Sequence, residues 1–270
     1  LESDIETVAR NVSSWLRTSA SVEEVAADAA DAVAVASGPP AQIATLILPA
    51  DVSWSEGGVP ASPVAPAAPT PVDPDAVAAI AAVLQGDEPA ALFIGGRACR
   101  ADALVDASRV ANTTGAKLMA ETFPARIERG AGRVPVDRLA YLAEFAAMQL
   151  DGLKHLVLVD SKAPVSFFAY PGKASDLVPE GCTVHVLADQ AGDPAAALAA
   201  LADAVGAAPD AATIQAEVRP PLPSGPLTAD GVCQALGALL PEGAIVSDEG
   251  NTSGLFAAGH TAGAPAHDWM

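Results

Sequence analysis

The chain has 270 residues and a formal net charge of −19 at pH 7, from 14 basic and 33 acidic side chains. Nucleic acids and anionic membrane surfaces are therefore not expected as partners, because both require clusters of lysine and arginine. Half of the residues are hydrophobic, which is enough for a packed core, but no apolar run approaches the ~20 residues of a membrane span. No signal peptide opens the chain, so the sequence predicts a cytoplasmic protein.

The cysteines and histidines do not predict a disulfide framework or a metal site. Cys99, Cys182 and Cys233 are odd in number and widely spaced, which supports neither paired thiols nor a thiolate zinc site. The four histidines, at positions 155, 185, 260 and 267, do not fall at metal-ligand spacing. We therefore predict no metal-binding residue in this chain.

Residues 1–55 predict the end of an α/β domain. Apolar residues spaced by three and four between Ile5 and Leu16 predict a helix over residues 4–17. Ser21 and Glu24 have the spacing of a capping box for a second helix that continues to Ala36. A strand at 43–48 follows, and the proline-rich residues 56–74 then predict an extended linker.

Residues 75–206 predict a complete, Rossmann-like domain with a doubly wound parallel sheet, because strands and helices alternate. The predicted strands are 91–94, 117–120, 155–159 and 183–187, and the predicted helices are 75–84, 101–114, 137–150 and 194–205. Residues 121–134 predict a long irregular loop that carries Arg126, Arg129 and Arg133. Anion binding, solvation and contact with another domain are alternative interpretations of these arginines.

A second linker is predicted at 207–226, and residues 227–270 predict the start of a further α/β domain. Its helix covers 229–240 and its strand 244–247, and we expect no further element before Met270. The chain begins inside a helical pattern and ends without a closing element. It is therefore expected to be a segment of a longer polypeptide.

The first candidate site is the Gly95-Gly96 turn between the 91–94 strand and the next helix, an arrangement in which a helix N-terminus can bind phosphate. Asp160 and Asp189 follow neighbouring strands, so these residues would share one sheet edge, where an acid can bind a ribose hydroxyl. The glycines lack the full G-x-G-x-x-G spacing. Ordinary turns and caps are therefore the alternative interpretation.

The second candidate site follows the 244–247 strand and consists of Glu249, Gly250, Asn251, Thr252 and Ser253. The glycine allows close backbone approach, and amide and hydroxyl groups can donate to phosphate oxygens. The alternative is an N-cap for the next helix, which Asn, Thr and Ser also favour. No catalytic group of residues is predicted in the chain.

The order of these segments resembles the three-domain architecture of thiamine-diphosphate-dependent enzymes of the acetolactate synthase and benzoylformate decarboxylase group. Residues 38–40 (GPP), the following strand and residues 49–52 (PADV) are similar to the end of the pyrimidine-binding domain. Residues 156–189, with FAYPG at 168–172 and VPEG at 178–181, are similar to the central domain of the benzoylformate decarboxylase branch. Residues 244–253 are similar to the first strand of the diphosphate-binding domain.

The resemblance implies that the full-length protein uses thiamine diphosphate and Mg²⁺ on 2-oxo acids. The leading interpretation is an acetolactate-synthase-like carboligase of branched-chain amino acid biosynthesis that uses pyruvate. A benzoylformate-type decarboxylase and, from another class, a non-catalytic nucleotide-binding module at Gly95-Gly96 are the alternatives. The contacts to the cofactor's phosphates would come from Glu249 to Ser253.

The resemblance also places the cofactor-activating glutamate and the magnesium ligands outside these 270 residues, so the chain alone is expected to show no turnover. A homodimer or homotetramer is implied, since active sites of the family lie between subunits. Acetolactate synthases often bind FAD on the central domain, but the incomplete glycine pattern at Gly95-Gly96 argues against FAD here.

Overall fold

The computed structural model describes residues 3–169, 171–250 and 252–270. The chain forms two compact units. The smaller unit takes the chain up to Pro71 together with Gln190–Gly192. The larger unit takes Val72–Asp189 and Asp193–Met270. None of the described helices combines the length and the apolar composition that crossing a bilayer requires.

The smaller unit is built on two parallel strands. In chain order its elements are α1 (Ile5–Arg10), β1 (Trp15–Thr18), α2 (Val25–Ser37), β2 (Ala44–Ile47) and α3 (Ala50–Trp54). Asp28, buried on α2, accepts hydrogen bonds from Arg17 Nη1 at 2.9 Å and from Ser19 Oγ at 2.8 Å. This carboxylate therefore ties β1 and the residue after it to the helix.

Two predictions for the smaller unit are wrong. The helix predicted over 4–17 ends at Arg10, because the chain then turns into β1 and pairs with β2. Ile5, Val8 and Val12 are exposed, so their helical spacing does not mark a buried face. The second helix begins at Val25, and Glu24 at its N-cap makes no capping side-chain bond within the described residues.

The larger unit contains the predicted parallel sheet. In chain order its elements are α4 (Pro74–Leu84), β3 (Ala90–Ile94), a short 3₁₀ helix (Gly96–Cys99), α5 (Ala101–Thr114), β4 (Lys117–Ala120), β5 (Ile127–Arg129), β6 (Asp137–Arg138), α6 (Ala143–Leu150), β7 (His155–Val159), β8 (Thr183–Ala188), α7 (Pro194–Ala204), α8 (Ala229–Leu239), β9 (Ile245–Val246), α9 (Ala257–His260) and β10 (His267–Trp269). Five strands pair in parallel in the order β6-β4-β3-β7-β8. Because the chain winds outward from β3 in both directions, the predicted doubly wound α/β class is confirmed.

Alternate residues of the central strand pack into two different layers. Leu92 and Ile94 belong to a buried cluster that includes residues of α4, α5 and α7. Ala91 and Phe93 belong to the cluster on the other face, with Leu150 of α6. Both faces of β3 are covered, which explains its uninterrupted apolar sequence.

A second, three-stranded sheet was not predicted. Its order is β5-β10-β9, with β10 antiparallel to β5 and parallel to β9. The predicted irregular loop over 121–134 is therefore wrong at β5. The expectation of no further element before Met270 is wrong at α9 and at β10. The helix predicted from 137 begins only at Ala143, because β6 pairs with Met119 and Ala120.

Candidate functional site

The first candidate site lies where β3, β4 and β7 end, at the carboxyl edge of the parallel sheet. Gly95-Gly96 follows β3, Glu121 follows β4 and Asp160 follows β7. Arg97 N–H donates to Asp160 Oδ2 at 2.7 Å, and Gly96 N–H donates to Glu121 Oε1 at 3.3 Å. The structure therefore brings the predicted glycine turn and Asp160 into direct contact.

The turn has no room for a side chain at Gly96. A Cβ there would lie 2.5 Å from Asp160 Oδ2, and the residue has a φ of +44°, which L side chains rarely adopt. Asp160 also has a positive φ, +49°, although it carries a side chain. The hydroxyl of Ser161, the next residue, donates to the Phe93 carbonyl at 2.7 Å and holds the end of β7 against β3.

This edge carries several carboxylates within electrostatic reach of one another. Burial raises the pKa of Glu121, and the charge of Asp160 raises it further. Burial likewise raises the pKa of Asp160, and the charge of the exposed Asp189 adds to that effect. Such an edge suits hydroxyl donors better than phosphate, because the turn's N–H groups already donate to carboxylates. Among the described residues, no three metal-ligating side chains are arranged to hold a metal ion.

Glu121 is a residue of this edge that the sequence interpretation did not identify. Its signal was its position directly after a predicted strand, the same signal that marked Asp160. Gly95 and Gly96 lie with Glu121 and Asp160, whereas Asp189 acts on Asp160 through its charge.

The second candidate site follows β9, on the other sheet. Gly250 N–H donates to Asp248 Oδ1 at 2.9 Å, and Gly254 N–H donates to Gly250 O at 3.0 Å, which closes a tight turn. Glu249, Thr252 and Ser253 are exposed, and their side chains have no hydrogen-bond partner within the described ranges. The predicted residue Asn251 lies outside the described residues.

The N-cap interpretation of Thr252 and Ser253 is wrong. The next helix, α9, begins at Ala257 and has Phe256 at its N-cap. Two exposed hydroxyl groups are therefore available as donors to phosphate oxygens. Asp248 and Glu249 belong to the same short stretch, so a phosphate bound there would need a cation to offset the negative charge.

The arginines after β4 contact the last part of the chain. Arg126 forms a bidentate ion pair with Asp268, with N···O distances of 2.7 and 2.6 Å. Arg129 donates to the Ala258 carbonyl at 2.5 Å, and its guanidinium carbon lies 4.8 Å from the centre of the Trp269 ring. Arg133 forms no side-chain bond within the described part of the chain. Arg126 and Arg129 therefore contact a segment that is distant in sequence but lies in the same compact unit.

A group of exposed aromatic rings lies on the larger unit. Phe123, Tyr141, Phe167 and Phe168 have neighbouring ring centroids 5.2–5.5 Å apart, and each side chain is at least 38% exposed. The described rings pack on one another and form a surface cluster.

The comparisons with known proteins relate the chain to thiamine diphosphate enzymes. No family model matches the chain. The chain is 55% identical over 275 residues to a protein of Mycobacterium tuberculosis (strain ATCC 25618 / H37Rv) described as "Putative acetolactate synthase large subunit IlvX", a match that covers 100% of this chain and 52% of that protein.

Solved structures of similar fold agree with this relationship. A "putative thiamin diphosphate-dependent enzyme" from Mycobacterium smegmatis matches with a TM-score of 0.69 and 21% identity, covering 96% of this chain and 53% of that one. A 4-hydroxybenzoylformate decarboxylase, thiamine diphosphate-dependent, from Rhodococcus jostii RHA1 matches with a TM-score of 0.67 and 18% identity, covering 99% and 54%. Benzoylformate decarboxylase from Polynucleobacter necessarius matches with a TM-score of 0.61 and 20% identity, covering 94% and 50%.

The chain spans about half the length of each of these proteins. At these identities the solved structures establish the fold, and the relative from Mycobacterium tuberculosis establishes the similarity in sequence. The predicted resemblance to thiamine-diphosphate-dependent enzymes is therefore confirmed in sequence and in fold.

Proposed function

We propose that this chain is part of a thiamine-diphosphate-dependent enzyme that acts on 2-oxo acids, with acetolactate-synthase-like carboligation of pyruvate as its reaction. The observation that carries the proposal is the 55% identity, along the whole chain, to a protein described as an acetolactate synthase large subunit. A role in branched-chain amino acid biosynthesis belongs to the same proposal. A benzoylformate-type decarboxylase is the second candidate, since two of the similar folds belong to such decarboxylases.

Within this proposal the chain contributes contacts to the cofactor and no catalytic residue. When bound, thiamine diphosphate would supply the electron sink for the electron pair of the bond that is broken at the substrate's carbonyl carbon. The hydroxyl groups of Thr252 and Ser253 would donate to its diphosphate, beside Glu249, Gly250 and Asn251. Mg²⁺ would offset the charge of the diphosphate next to Asp248 and Glu249.

The domain assignment is also part of the proposal. Residues 1–55 would be the end of the pyrimidine-binding domain, 75–206 the central domain and 227–270 the start of the diphosphate-binding domain. The 270 residues alone would turn over no 2-oxo acid, because the activating glutamate and the magnesium ligands would come from the rest of the polypeptide.

We further propose a cytoplasmic homodimer or homotetramer. The association between subunits is supported by the exposed aromatic cluster of Phe123, Tyr141, Phe167 and Phe168, since apolar rings grouped on a surface are typical of protein–protein interfaces.

A nucleotide-binding module at Gly95-Gly96, with Asp189 as a further contact, is the proposal from another class. Its weakness is that the N–H groups of Gly96 and Arg97 already donate to Glu121 and Asp160. The same contacts, together with the missing third glycine, weigh against FAD.

The reaction is tested on the complete polypeptide with pyruvate, thiamine diphosphate and Mg²⁺. The expected result is acetolactate and CO₂, formed only when the cofactor is present. Acetaldehyde and CO₂ without acetolactate would overturn the carboligase assignment in favour of the decarboxylase. Micromolar binding of ADP or FAD by a protein that ignores thiamine diphosphate would favour the nucleotide module.

A further inference from the structure

A cavity of about 310 Å³ in the larger unit is lined in part by two arginines, Arg129 and Arg138, and neither pairs with a carboxylate of the described residues. It is lined by side chains from β5, β6 and β10, among them Arg129, Arg138 and Trp269. Its volume is at the lower end of the range for small-molecule pockets. A small molecule therefore fits it, whereas a folded partner does not.

Arg129 is half-buried, and its charge is poorly compensated. Its guanidinium makes one hydrogen bond, to the Ala258 carbonyl, and one contact with the Trp269 ring, and no carboxylate of the described residues pairs with it. Burial, together with the charge of Arg138, lowers the pKa of Arg129 to about 10, so it still carries its proton at neutral pH. Most of its N–H donors have no acceptor among the described residues.

Arg138 adds a second positive charge to the same cavity. Its side chain is half-buried and forms no hydrogen bond or ion pair within the described ranges. Asp137 also lines the cavity, but it is exposed and pairs with neither arginine in the described part of the chain. The chain has 33 acidic side chains, yet neither of these two arginines forms an ion pair with a carboxylate of the described residues.

Trp269 supplies a third observation, independent of the arginines. Its side chain is 1% exposed, and its indole Nε1 is buried without a hydrogen-bond partner among the described residues. Buried N–H groups are nearly always bonded in folded proteins, and Trp269 is one of the residues that line the cavity, so its indole N–H indicates an acceptor that the described residues do not provide. An oxygen atom of a bound ligand would satisfy it.

We propose that this cavity binds a small oxyanion, a phosphate or a carboxylate group, through the guanidinium groups of Arg129 and Arg138 and the indole N–H of Trp269. Guanidinium groups present paired donors that match both kinds of anion. The site goes beyond the proposed function and does not depend on thiamine diphosphate. The experiment below decides whether the bound group is a phosphate or a carboxylate.

The indole N–H of Trp269 provides a direct readout in the ¹⁵N-labelled 270-residue chain. The chain has three tryptophans, so the Trp15→Phe and Trp54→Phe variants assign the Trp269 signal by elimination. Inorganic phosphate and acetate are titrated separately, each against chloride at the same ionic strength. The expected result is a saturable shift of the Trp269 signal with at least one anion. Saturation with phosphate alone would identify a phosphate ligand, and saturation with acetate alone a carboxylate ligand.

Variants distinguish the site from general charge effects. Arg138→Gln and Arg129→Gln are expected to weaken binding about tenfold or more, whereas Arg133→Gln is not, because Arg133 lies on the same stretch outside the cavity lining. If Arg129→Gln does not fold, the comparison of Arg138→Gln with Arg133→Gln decides alone. No shift beyond the chloride control, or equal weakening by all three variants, would overturn the proposal.

Discussion

Replacement of Gly130 by alanine tests whether the end of the chain packs against β5 as described. A Cβ at Gly130 would lie 2.6 Å from the Pro265 carbonyl oxygen, 2.7 Å from that of Ala264 and 2.9 Å from His267 Nδ1. The residue also has a φ of +104°. Either the turn after β5 or the segment leading into β10 would have to move.

The expected loss of stability has two parts. A positive φ costs an alanine about 1–2 kcal/mol. Overlap with two backbone oxygens adds about 1–3 kcal/mol, the usual cost of overpacking. Gly130→Ala should therefore destabilise the larger unit by about 3 kcal/mol. Gly132→Ala is the matched control, because Gly132 has a φ of +76° but no atom within 4 Å of its Cβ position, so only the first part applies.

The assay is urea unfolding followed by tryptophan fluorescence. Trp15 and Trp54 lie in the smaller unit, so Phe at both positions leaves Trp269 to report on the larger one. Gly130→Ala is expected to lower the unfolding midpoint clearly more than Gly132→Ala. Equal losses for the two variants would refute the contact between the Gly130 turn and residues 264–267.

Three further predictions concern single groups. Burial raises the pKa of the Cys99 thiol to about 12, and Cys233 is also buried. Only the half-buried Cys182 should therefore react readily with Ellman's reagent in the folded chain. A rapid reaction that remains in Cys182→Ser would contradict this. The raised pKa of Glu121 means that folding favours its protonated form, so the stability of the chain falls as the pH rises from about 4 through that pKa. In urea unfolding, Glu121→Gln should therefore be more stable than the parent at pH 7 but not at about pH 3.5. A difference in stability that does not change with pH would contradict this. The hydrogen bonds from Arg126 lower the pKa of Asp268, so the ion pair stabilises the folded chain at pH 7. The difference in stability between the parent and Arg126→Gln should therefore vanish as the pH falls through that pKa. A difference that persists in acid would show that the ion pair is not its cause.

The parallel sheet was predictable because its strands are apolar runs bounded by clear turn residues. Residues 90–94 are fully buried on both faces, so the sequence there contains only apolar residues. Gly115 ends α5 in the left-handed conformation, as a C-cap glycine does. These signals are local, and each lies within a few residues of the element that it defines.

The second sheet was not predictable from local signals. β5 and β10 have three residues each and no alternating apolar pattern, and the partner of β5 lies more than a hundred residues away at 267–269. Likewise, the partner of Arg126 is Asp268 and the ring over Arg129 is Trp269. The sequence identified the arginine-rich stretch as a possible anion-binding segment, but only the fold shows which arginines line a cavity.

The helix predicted over 4–17 failed for a related reason. Its apolar residues have the correct spacing for a helix, yet Trp15 and Leu16 gain more from pairing with Ala44 and Thr45 in a sheet than from extending α1. Similarly, Thr252 and Ser253 resemble caps in composition, but the intervening turn places Phe256 before α9.

Calorimetric titration of the complete polypeptide with thiamine diphosphate and Mg²⁺ tests the central claim most directly. The expected result is saturable binding that Ser253→Ala weakens about tenfold, through the loss of one hydrogen bond to a charged group. Ser247→Ala, an exposed serine just after β9, is the control and should bind normally. Absence of thiamine diphosphate binding, or binding that both variants leave unchanged, would contradict the assignment of residues 249–253 to the cofactor.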